Sequence, residues 1–173
     1  HNHKIRKIVI STGVVSTFAG SGSPGSADGT GPAATFKYPM GITTDGTNLY
    51  VTGNSNNIIR KIVISSGVVT TIAGSVGSSG STDGTGPAAR FDAPYGITTD
   101  GTNLYVADTN NSTIRKIVIS TGVVSTFAGY AGSRASTDGT GTAARFNKSR
   151  EISTDGTYLY VSDTGNSKIR KIV

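Results

Sequence analysis

Residues able to carry out chemistry are scarce in this chain. Histidine occurs only at His1 and His3, Glu151 is the single glutamate, and cysteine is absent. Nucleophilic catalysis by Ser–His or Cys–His pairs, and zinc binding by thiolates and imidazoles, therefore lack their side chains. We predict no catalytic residue, no metal site, no cofactor and hence no enzyme.

Three aspartates, Asp45, Asp100 and Asp155, each precede a glycine between two β-prone segments. Calcium requires six or more converging oxygens, and no further carboxylates stand at alternating positions here. Asp-Gly between such segments is a strong hairpin signal, because glycine accepts a positive φ. We therefore interpret these aspartates as turn residues.

A second set of aspartates lies in the long loops, also before glycine. Asp83 is followed by Arg90 and Asp138 by Arg145, so we predict an ion pair that clamps each loop. Thr35 replaces the arginine in the first unit, where this clamp should be lost. Asp108 and Asp163 end predicted strands and should cap the following turns, although Gly53 stands at this place in the first unit.

The formal net charge of +6 raises the question of a nucleic-acid partner. Half of the sixteen cationic residues form four Arg-Lys pairs, in copies of one I-R-K-I-V segment. Charges spread in this way favour a solvated or salt-bridged edge strand over one basic face. A surface for nucleic acid or an acidic polymer is the alternative, and it would require a one-sided patch with exposed aromatics.

The same I-R-K-I-V segments reveal an internal repeat. They begin at Ile5, Ile59, Ile114 and Ile169, spaced 54 or 55 residues apart. A fixed period of this length indicates one supersecondary unit that buries its faces against its neighbours. We divide the chain, a single module of residues 1–173, into repeats 1–40, 41–95, 96–150 and 151–173, of which the first and last are partial.

One unit reads as four antiparallel strands. In the second unit these are residues 96–100, 104–108, 113–119 and 123–129, separated by turn residues, and a Gly/Ser-rich loop follows at 130–150. Four-stranded units stacked on one another are typical of propeller blades. A β-solenoid is the alternative, but its coils are usually shorter and lack four strands.

The second unit resembles the NHL repeat, a β-propeller blade motif with the pattern P-x-G-I-x-x-D-G-x-x-L-Y-V-x-D-T-x-N-x-x-I-R-K-I. The matching residues are Pro94, Gly96, Ile97, Asp100, Gly101, Leu104, Tyr105, Val106, Asp108, Asn111, Ile114 and Arg115. The added T-x-A-G strand and the D-G-T-G-x-A-A-R-F loop resemble the long-loop type found in bacterial surface proteins. The resemblance implies an all-β propeller, most often of six blades, and an extracellular or cell-surface location.

The strands of the chain amount to about three blades. Labelled a to d within a blade, they run c-d, a-b-c-d, a-b-c-d and a-b-c. Because natural propellers use about four to eight blades, three cannot close a ring. Either the chain is part of a longer propeller, or two copies pair into a six-bladed ring, which is the assembly we predict. One terminal I-R-K-I-V copy would then be redundant and either displaced or disordered.

The residues just before the first strand of each unit differ between units, whereas the rest of the unit is repeated. Met40, Tyr95 and Arg150 occupy one equivalent position, and the propeller resemblance places it at the mouth of the central channel. Drift at an unconstrained position is the alternative to recognition. The predicted ligand site comprises Met40, Tyr95, Arg150 and Glu151, with Tyr38 and Lys148 flanking it.

These observations favour a non-enzymatic binding or scaffold module, exported or surface-displayed. We expect it to bind another copy of itself and a protein or glycan ligand, and we predict no nucleic-acid or membrane partner. The alternatives are a propeller enzyme of lactonase or lyase type, a nucleic-acid-binding NHL domain, and a fragment or engineered chain without native activity.

Overall fold

The computed structural model describes residues 2–173, which fold into antiparallel sheets joined by tight turns and long loops. The N-terminal hairpin consists of β1 (Ile5–Ile8) and β2 (Val15–Ala19). Blade 1 contains β3 (Gly29–Thr30), β4 (Pro39–Thr44), β5 (Asn48–Gly53), β6 (Ile58–Val63) and β7 (Val68–Gly74). Blade 2 repeats it with β8 (Gly84–Thr85), β9 (Pro94–Thr99), β10 (Asn103–Asp108), β11 (Thr113–Val118) and β12 (Val123–Ala128). Blade 3 contains β13 (Ile152–Thr154), β14 (Leu159–Asp163) and β15 (Lys168–Ile172).

Helical structure among the described residues is confined to single 3₁₀ turns. Three of them lie at the same place in the loops of successive units, and the fourth lies between β14 and β15; they span Gly31–Ala33, Gly86–Ala88, Gly141–Ala143 and Thr164–Asn166. None of the helices in residues 2–173 has the length and apolar character needed to cross a membrane. The all-β prediction is therefore confirmed.

Each complete blade has five strands rather than the four predicted. The four long strands form the expected meander, and a two-residue strand from the preceding loop pairs with the last of them, giving the order β3-β7-β6-β5-β4 in blade 1 and β8-β12-β11-β10-β9 in blade 2. The loop thereby covers the outer edge of the blade, which would otherwise expose unpaired backbone groups. The partial units are a two-stranded hairpin and a three-stranded sheet, as the predicted c-d and a-b-c sets require.

The hydrophobic core lies between neighbouring blades rather than within one. Tyr50 and Ile59 of blade 1 pack with Leu104, Val106 and Ile117 of blade 2, and all five are fully buried. A similar cluster joins blade 2 to blade 3, and another joins the N-terminal hairpin to blade 1. Because alternate residues of each strand face opposite neighbours, both faces of a central blade must be apolar.

Candidate functional site

A buried arginine ties each blade to the loop that precedes it. In blade 2, Arg115 Nη1 donates to the Arg90 carbonyl oxygen at 2.8 Å and to Asp108 Oδ2 at 3.0 Å. Nη2 donates to the Thr82 carbonyl oxygen at 3.1 Å and to Asp83 Oδ1 at 2.7 Å. The guanidinium therefore joins the loop, the end of β10 and β11 in one network of charge-assisted hydrogen bonds.

The same clamp recurs in the other two units. Arg60 Nη2 lies 3.0 Å from Asp28 Oδ1 in blade 1, and Arg170 pairs with Asp138 in blade 3. In every case the loop aspartate precedes its arginine by 32 residues. This fixed Asp–Arg spacing is the signal in the sequence from which the clamp could be predicted.

The prediction that the Arg-Lys pairs lie on a solvated or salt-bridged edge strand is correct about the salt bridges of the two complete blades but wrong about the solvated edge, because β6 and β11 are interior strands. The side chains of Arg60 and Arg115 are 1% and 0% exposed. Their strand is the third of four and is covered by the last strand and the loop, so its arginine points into the blade. Arg6 and Lys7 of the N-terminal hairpin and Lys171 of β15 are exposed as predicted, whereas the side chain of Arg170 is 11% exposed.

The predicted loop clamps Asp83–Arg90 and Asp138–Arg145 are also wrong in their arginine partner. Arg90 and Arg145 instead donate to backbone carbonyls of the adjacent 3₁₀ turns. The first-unit loop, with Thr35 in place of arginine, keeps its clamp through the strand arginine. The aspartates do anchor the loops, but to the strand arginine 32 residues later.

Asp108 ends β10 and is completely buried. The prediction that Asp108 and Asp163 cap the following turns is wrong, because the partners of Asp108 are side chains and the Asp92 N–H and Asp163 makes no side-chain cap. Asp108 accepts hydrogen bonds from the Asp92 N–H at 2.7 Å and Asn111 Nδ2 at 2.8 Å besides that from Arg115. Burial raises the pKa of Asp108 to about 6, although these hydrogen bonds and the arginine charge act in the opposite direction. Blade 1 has Gly53 here, so its buried arginine is paired with the loop aspartate alone.

The Asp-Gly hairpins form a second repeated network. Asp100 Oδ1 accepts the backbone N–H groups of Thr102 at 2.8 Å and Asn103 at 2.6 Å, and Oδ2 accepts the Tyr105 hydroxyl at 3.0 Å. Partial burial alone would raise the pKa of Asp100, but the hydrogen bonds outweigh it and lower the pKa to about 2. The turn interpretation is thus confirmed, and the same pair of residues recurs as Asp45–Tyr50 and Asp155–Tyr160.

These hairpins predict an acid-sensitive stability. The pKa values of Asp45 and Asp100 are about 2 in the folded chain, below the ordinary value of 3.8. Their contribution is fully present above about pH 4 and should be lost as the pH falls to about 2, because protonation is easier in the unfolded chain. Since both side chains are largely solvated, we expect about 1 kcal/mol or less from each.

Urea unfolding between about pH 5 and pH 2 measures this dependence. The Asp100→Asn variant should unfold with a shallower pH dependence than the unchanged chain, because one of the three hairpin carboxylates is gone. Identical pH dependence of the two proteins would show that this hairpin network contributes nothing.

The first strands of successive blades approach one another unusually closely. A Cβ at Gly41 would lie 2.4 Å from the Tyr95 carbonyl oxygen, and one at Gly96 would lie 2.5 Å from the Arg150 carbonyl oxygen. The Gly96 N–H donates to that carbonyl at 2.7 Å. Side chains at these two positions would collide with backbone, so glycine is required by packing. Glu151 occupies the third equivalent position.

Two of the predicted ligand residues are in contact. The Arg150 guanidinium lies over the Tyr95 ring, 5.6 Å from its centroid, in a cation–π arrangement. Arg150 is exposed and Tyr95 is partly buried. A threonine hydroxyl of the preceding blade anchors the backbone at both positions. Thr52 Oγ1 donates to the Tyr95 carbonyl oxygen, and Thr109 Oγ1 donates to the carbonyl oxygen of Ser149, the residue before Arg150.

The flanking residues have a backbone role. Tyr38 and Lys148 adopt φ values of 50° and 49°, and Ala93, at the equivalent place in blade 2, has 51°. This left-handed residue turns the chain into the first strand of each blade. Lys148 is exposed, whereas the Tyr38 ring packs edge-on against His3 with centroids 5.2 Å apart.

Met40 and Glu151 are exposed but lie in different surroundings. Met40 borders a groove of about 190 Å³ that Lys4 and Arg6 of the N-terminal segment also line. Glu151 borders the open face of blade 3, where its N–H donates to Ser162 Oγ at 2.8 Å. The structure therefore joins Tyr95 and Arg150 directly, whereas Met40 lines the groove beside the N-terminal segment.

The asparagine of the repeat pattern was missed as a loop anchor. Asn56, Asn111 and Asn166 each donate from Nδ2 to a carbonyl oxygen of the preceding loop, at 2.6–2.8 Å. The asparagine stands four residues before the clamp arginine in every unit, and both side chains donate hydrogen bonds to the same loop. No group of three or more His, Cys, Asp or Glu side chains suited to a metal occurs within the described part of the chain.

Two curated relatives share the repeats. NHL repeat-containing protein 2 of Bos taurus is 34% identical over 119 residues, covering 66% of this chain and 16% of the relative. The Arabidopsis thaliana protein SUPPRESSOR OF QUENCHING 1, chloroplastic, is 37% identical over 101 residues, covering 57% of this chain and 9% of the relative. The chain thus spans less than a fifth of the length of these relatives. No protein-family model matches it.

Solved structures share the fold. A structural genomics protein from Bacteroides thetaiotaomicron aligns over 98% of this chain and 42% of its own, with a TM-score of 0.81 and 24% identity. An auxiliary nutrient-binding protein from the same organism aligns over 100% of this chain and 43% of its own, with a TM-score of 0.78 and 19% identity. Virginiamycin B lyase from Staphylococcus aureus aligns over 99% of this chain and 45% of its own, with a TM-score of 0.61 and 21% identity. With the repeated blades and the matches to NHL repeat-containing proteins, the chain belongs to the NHL-repeat family of β-propeller proteins.

Proposed function

We propose that the chain is a non-enzymatic binding module whose ligand contacts the Tyr95–Arg150 pair. The repeated polar residues support this, because they are engaged in loop clamps and hairpins that hold the blades. Tyr95 and Arg150 stand outside those networks, on neighbouring first strands, and differ from their equivalents in type. One similar structure is described as a nutrient-binding protein, which agrees with a binding role.

The chemistry of the pair favours an acidic glycan. The Arg150 guanidinium lies over the Tyr95 ring, and a guanidinium can donate two parallel hydrogen bonds to a carboxylate. Lys148 is exposed two residues earlier, and the net charge of +6 attracts anions from a distance. A protein ligand with exposed carboxylates would use the same groups, and it forms the alternative outcome of the test.

Calorimetric titration with an oligogalacturonate, and with a neutral galacto-oligosaccharide of equal length, tests this proposal. We expect binding of the acidic sugar alone. Arg150→Gln should weaken it at least tenfold, which corresponds to about 1.4 kcal/mol, and Tyr95→Ala should weaken it because the guanidinium loses its support.

Lys116→Gln is the matched control, since it removes the same charge from a strand two positions away within blade 2. If this control weakens binding as much as Arg150→Gln, the acidic sugar is attracted by the overall positive charge, and Tyr95 and Arg150 do not form a specific binding site. If neither sugar binds but a carboxylate-rich peptide does, the ligand is a protein.

An enzyme of lactonase or lyase type is the alternative that the fold similarity suggests. We set it aside because Glu151 is the single carboxylate among the proposed ligand residues and is exposed at the edge of blade 3. The proposal further includes a location outside the cell or on its surface, and a closed ring of six blades built from two copies. Cell fractionation and sedimentation of the purified chain test these two parts.

A further inference from the structure

Two segments of the chain repeat one another, residues 75–95 at the entry to blade 2 and residues 130–150 at the entry to blade 3. Every difference in charge between them makes the second segment more positive. The first segment has Ser79, Asp92, Ala93 and Tyr95 where the second has Arg134, Asn147, Lys148 and Arg150. The remaining differences exchange neutral residues. Random drift changes charge in both directions, so this bias indicates a surface that binds an anion.

The positive charge of the second segment is not cancelled by nearby carboxylates. Asp138, the one carboxylate that the segment contains, is paired with Arg170 of β15. Glu151 follows Arg150 but borders the open face of blade 3, whereas the Arg150 guanidinium lies over Tyr95 of blade 2. The three added cations are exposed and therefore accessible to a ligand.

The second segment also contains a second tyrosine–arginine pair. The Arg145 guanidinium lies over the Tyr130 ring, 5.2 Å from its centroid, and Tyr130 is 58% exposed. Arg145 Nε donates to Ser133 Oγ at 3.1 Å, and Nη1 donates to two carbonyl oxygens of the adjacent 3₁₀ turn. The pair therefore repeats the cation–π arrangement of Tyr95 and Arg150.

Both pairs lie at the same end of the blade 2 sheet. Successive strands of the blade are antiparallel, so β9 begins, at Pro94, on the end where β12 finishes, at Ala128. Tyr95 belongs to β9, and Tyr130 follows β12 by two residues. The order β12-β11-β10-β9 separates the outer strands by three strand spacings, which places the two tyrosines about 14 Å apart.

Lys148 and Arg134 place further charge along the line between the two pairs. The Lys148 N–H donates at 3.2 Å to Ser112 Oγ, in the turn between β10 and β11. Because β10 and β11 are the middle strands, Lys148 lies between the two tyrosines. Arg134 forms a backbone bridge with Phe146, which places it beside Arg145.

We infer that these residues form one extended site for a polymeric acidic glycan. The inner subsite is Tyr95 with Arg150, and the outer subsite is Tyr130 with Arg145. This inference rests on the proposed function and extends its contact across the end of blade 2. Each arginine binds one carboxylate through charge-assisted hydrogen bonds, and Lys148 attracts the sugars that lie between them. A glycan with a carboxylate on every sugar satisfies both subsites at once.

The surroundings of the two rings favour a carboxylated glycan over a single-stranded nucleic acid. Proteins bind single strands by stacking the bases on aromatic faces. Here a guanidinium covers one face of each ring, and Tyr95 is partly buried. The rings therefore orient the arginines, whose planar donors match carboxylates.

Two subsites in one line predict that affinity depends on the length of the sugar. Digalacturonate is too short to reach from one tyrosine to the other, whereas hexagalacturonate spans both. Joining two contacts in one ligand raises its affinity above that of either contact alone. The short sugar should bind at the inner subsite, because Arg150 is exposed, whereas three hydrogen bonds already engage Arg145.

Calorimetric titration of both sugars into the unchanged chain and a double variant tests the inference. Tyr130→Ser/Arg134→Ser introduces the residues of the first segment, Ser75 and Ser79, so the fold should be kept. We expect this variant to bind hexagalacturonate about tenfold more weakly or worse, and digalacturonate within about twofold of the unchanged chain. Arg150→Gln should weaken the binding of both sugars.

Lys116→Gln is the control for charge, since it removes one cation as the double variant does. If it weakens hexagalacturonate binding as much, the outer subsite is refuted. If both sugars bind and the double variant loses nothing on the longer one, the outer subsite is refuted while the proposed function stands. If neither sugar binds, both proposals fail. An oligothymidylate that binds more tightly than hexagalacturonate, and loses affinity in the double variant, would overturn the glycan in favour of a nucleic acid.

Discussion

Replacing Arg115 with methionine should lower the free energy of unfolding by about 3–5 kcal/mol, the cost of breaking a buried ion pair from one side. Methionine keeps much of the side-chain length but leaves the Asp108 carboxylate buried without its cation. It also releases the loop, since the carbonyl oxygens of Thr82 and Arg90 lose their donor. Urea unfolding at fixed protein concentration measures the change.

The repeats supply the controls for this prediction. Arg60→Met should cost less, because Gly53 leaves no buried carboxylate beside Arg60. Arg6→Met should change stability by less than about 0.5 kcal/mol, since Arg6 is exposed. Equal losses in all three variants would show that the motif stabilises through the strand itself and that the buried network contributes little.

The strand pattern of the fold could be predicted from the sequence because it is local. The four strands expected in the second unit agree with β9 to β12 to within two residues at each end. Alternating β-branched residues and Asp-Gly turns fix such elements over short distances. The fifth strand was missed because it contains two residues, Gly84 and Thr85, whose pairing depends on β12 nearly forty residues later.

The loop clamp could not be located from local pattern. Arginine beside lysine in a β-prone segment is compatible with an exposed edge, and only the covering loop makes Arg115 a core residue. The loop supplies its own aspartate and carbonyls, so the burial and the partners of the arginine arise together. The constant separation of 32 residues between Asp and Arg contained this information, because a pair that keeps its spacing in every unit can meet in every unit.

The candidate site was predicted in part. The equivalence of Tyr95 and Arg150 followed from the alignment of repeats, and their stacking required neighbouring first strands to lie against each other. Tyr38 and Lys148 were assigned to ligand binding, and whether they take part stays a prediction. Their left-handed backbone gives them a separate structural role that no side-chain pattern reveals.

Gly96→Ala should separate blade 2 from blade 3. The new Cβ would lie 2.5 Å from the Arg150 carbonyl oxygen, 2.8 Å from the Glu151 Cα and 2.9 Å from the Ile152 nitrogen. All three atoms belong to backbone, so no side-chain rotation relieves the contact. Overpacking of this kind costs about 1–3 kcal/mol, and the displaced strand also loses the hydrogen bond from the Gly96 N–H to the Arg150 carbonyl.

Glu151→Ala is the matched control, because the same position in blade 3 already carries a Cβ. At a protein concentration where the chain is monomeric, this variant should unfold within about 0.5 kcal/mol of the unchanged chain. Gly96→Ala should also alter ligand affinity, since moving β13 away from β9 moves Arg150 off the Tyr95 ring. A Gly96→Ala protein as stable as the control would mean that the blades adjust to the methyl group, and that their spacing does not explain the glycine.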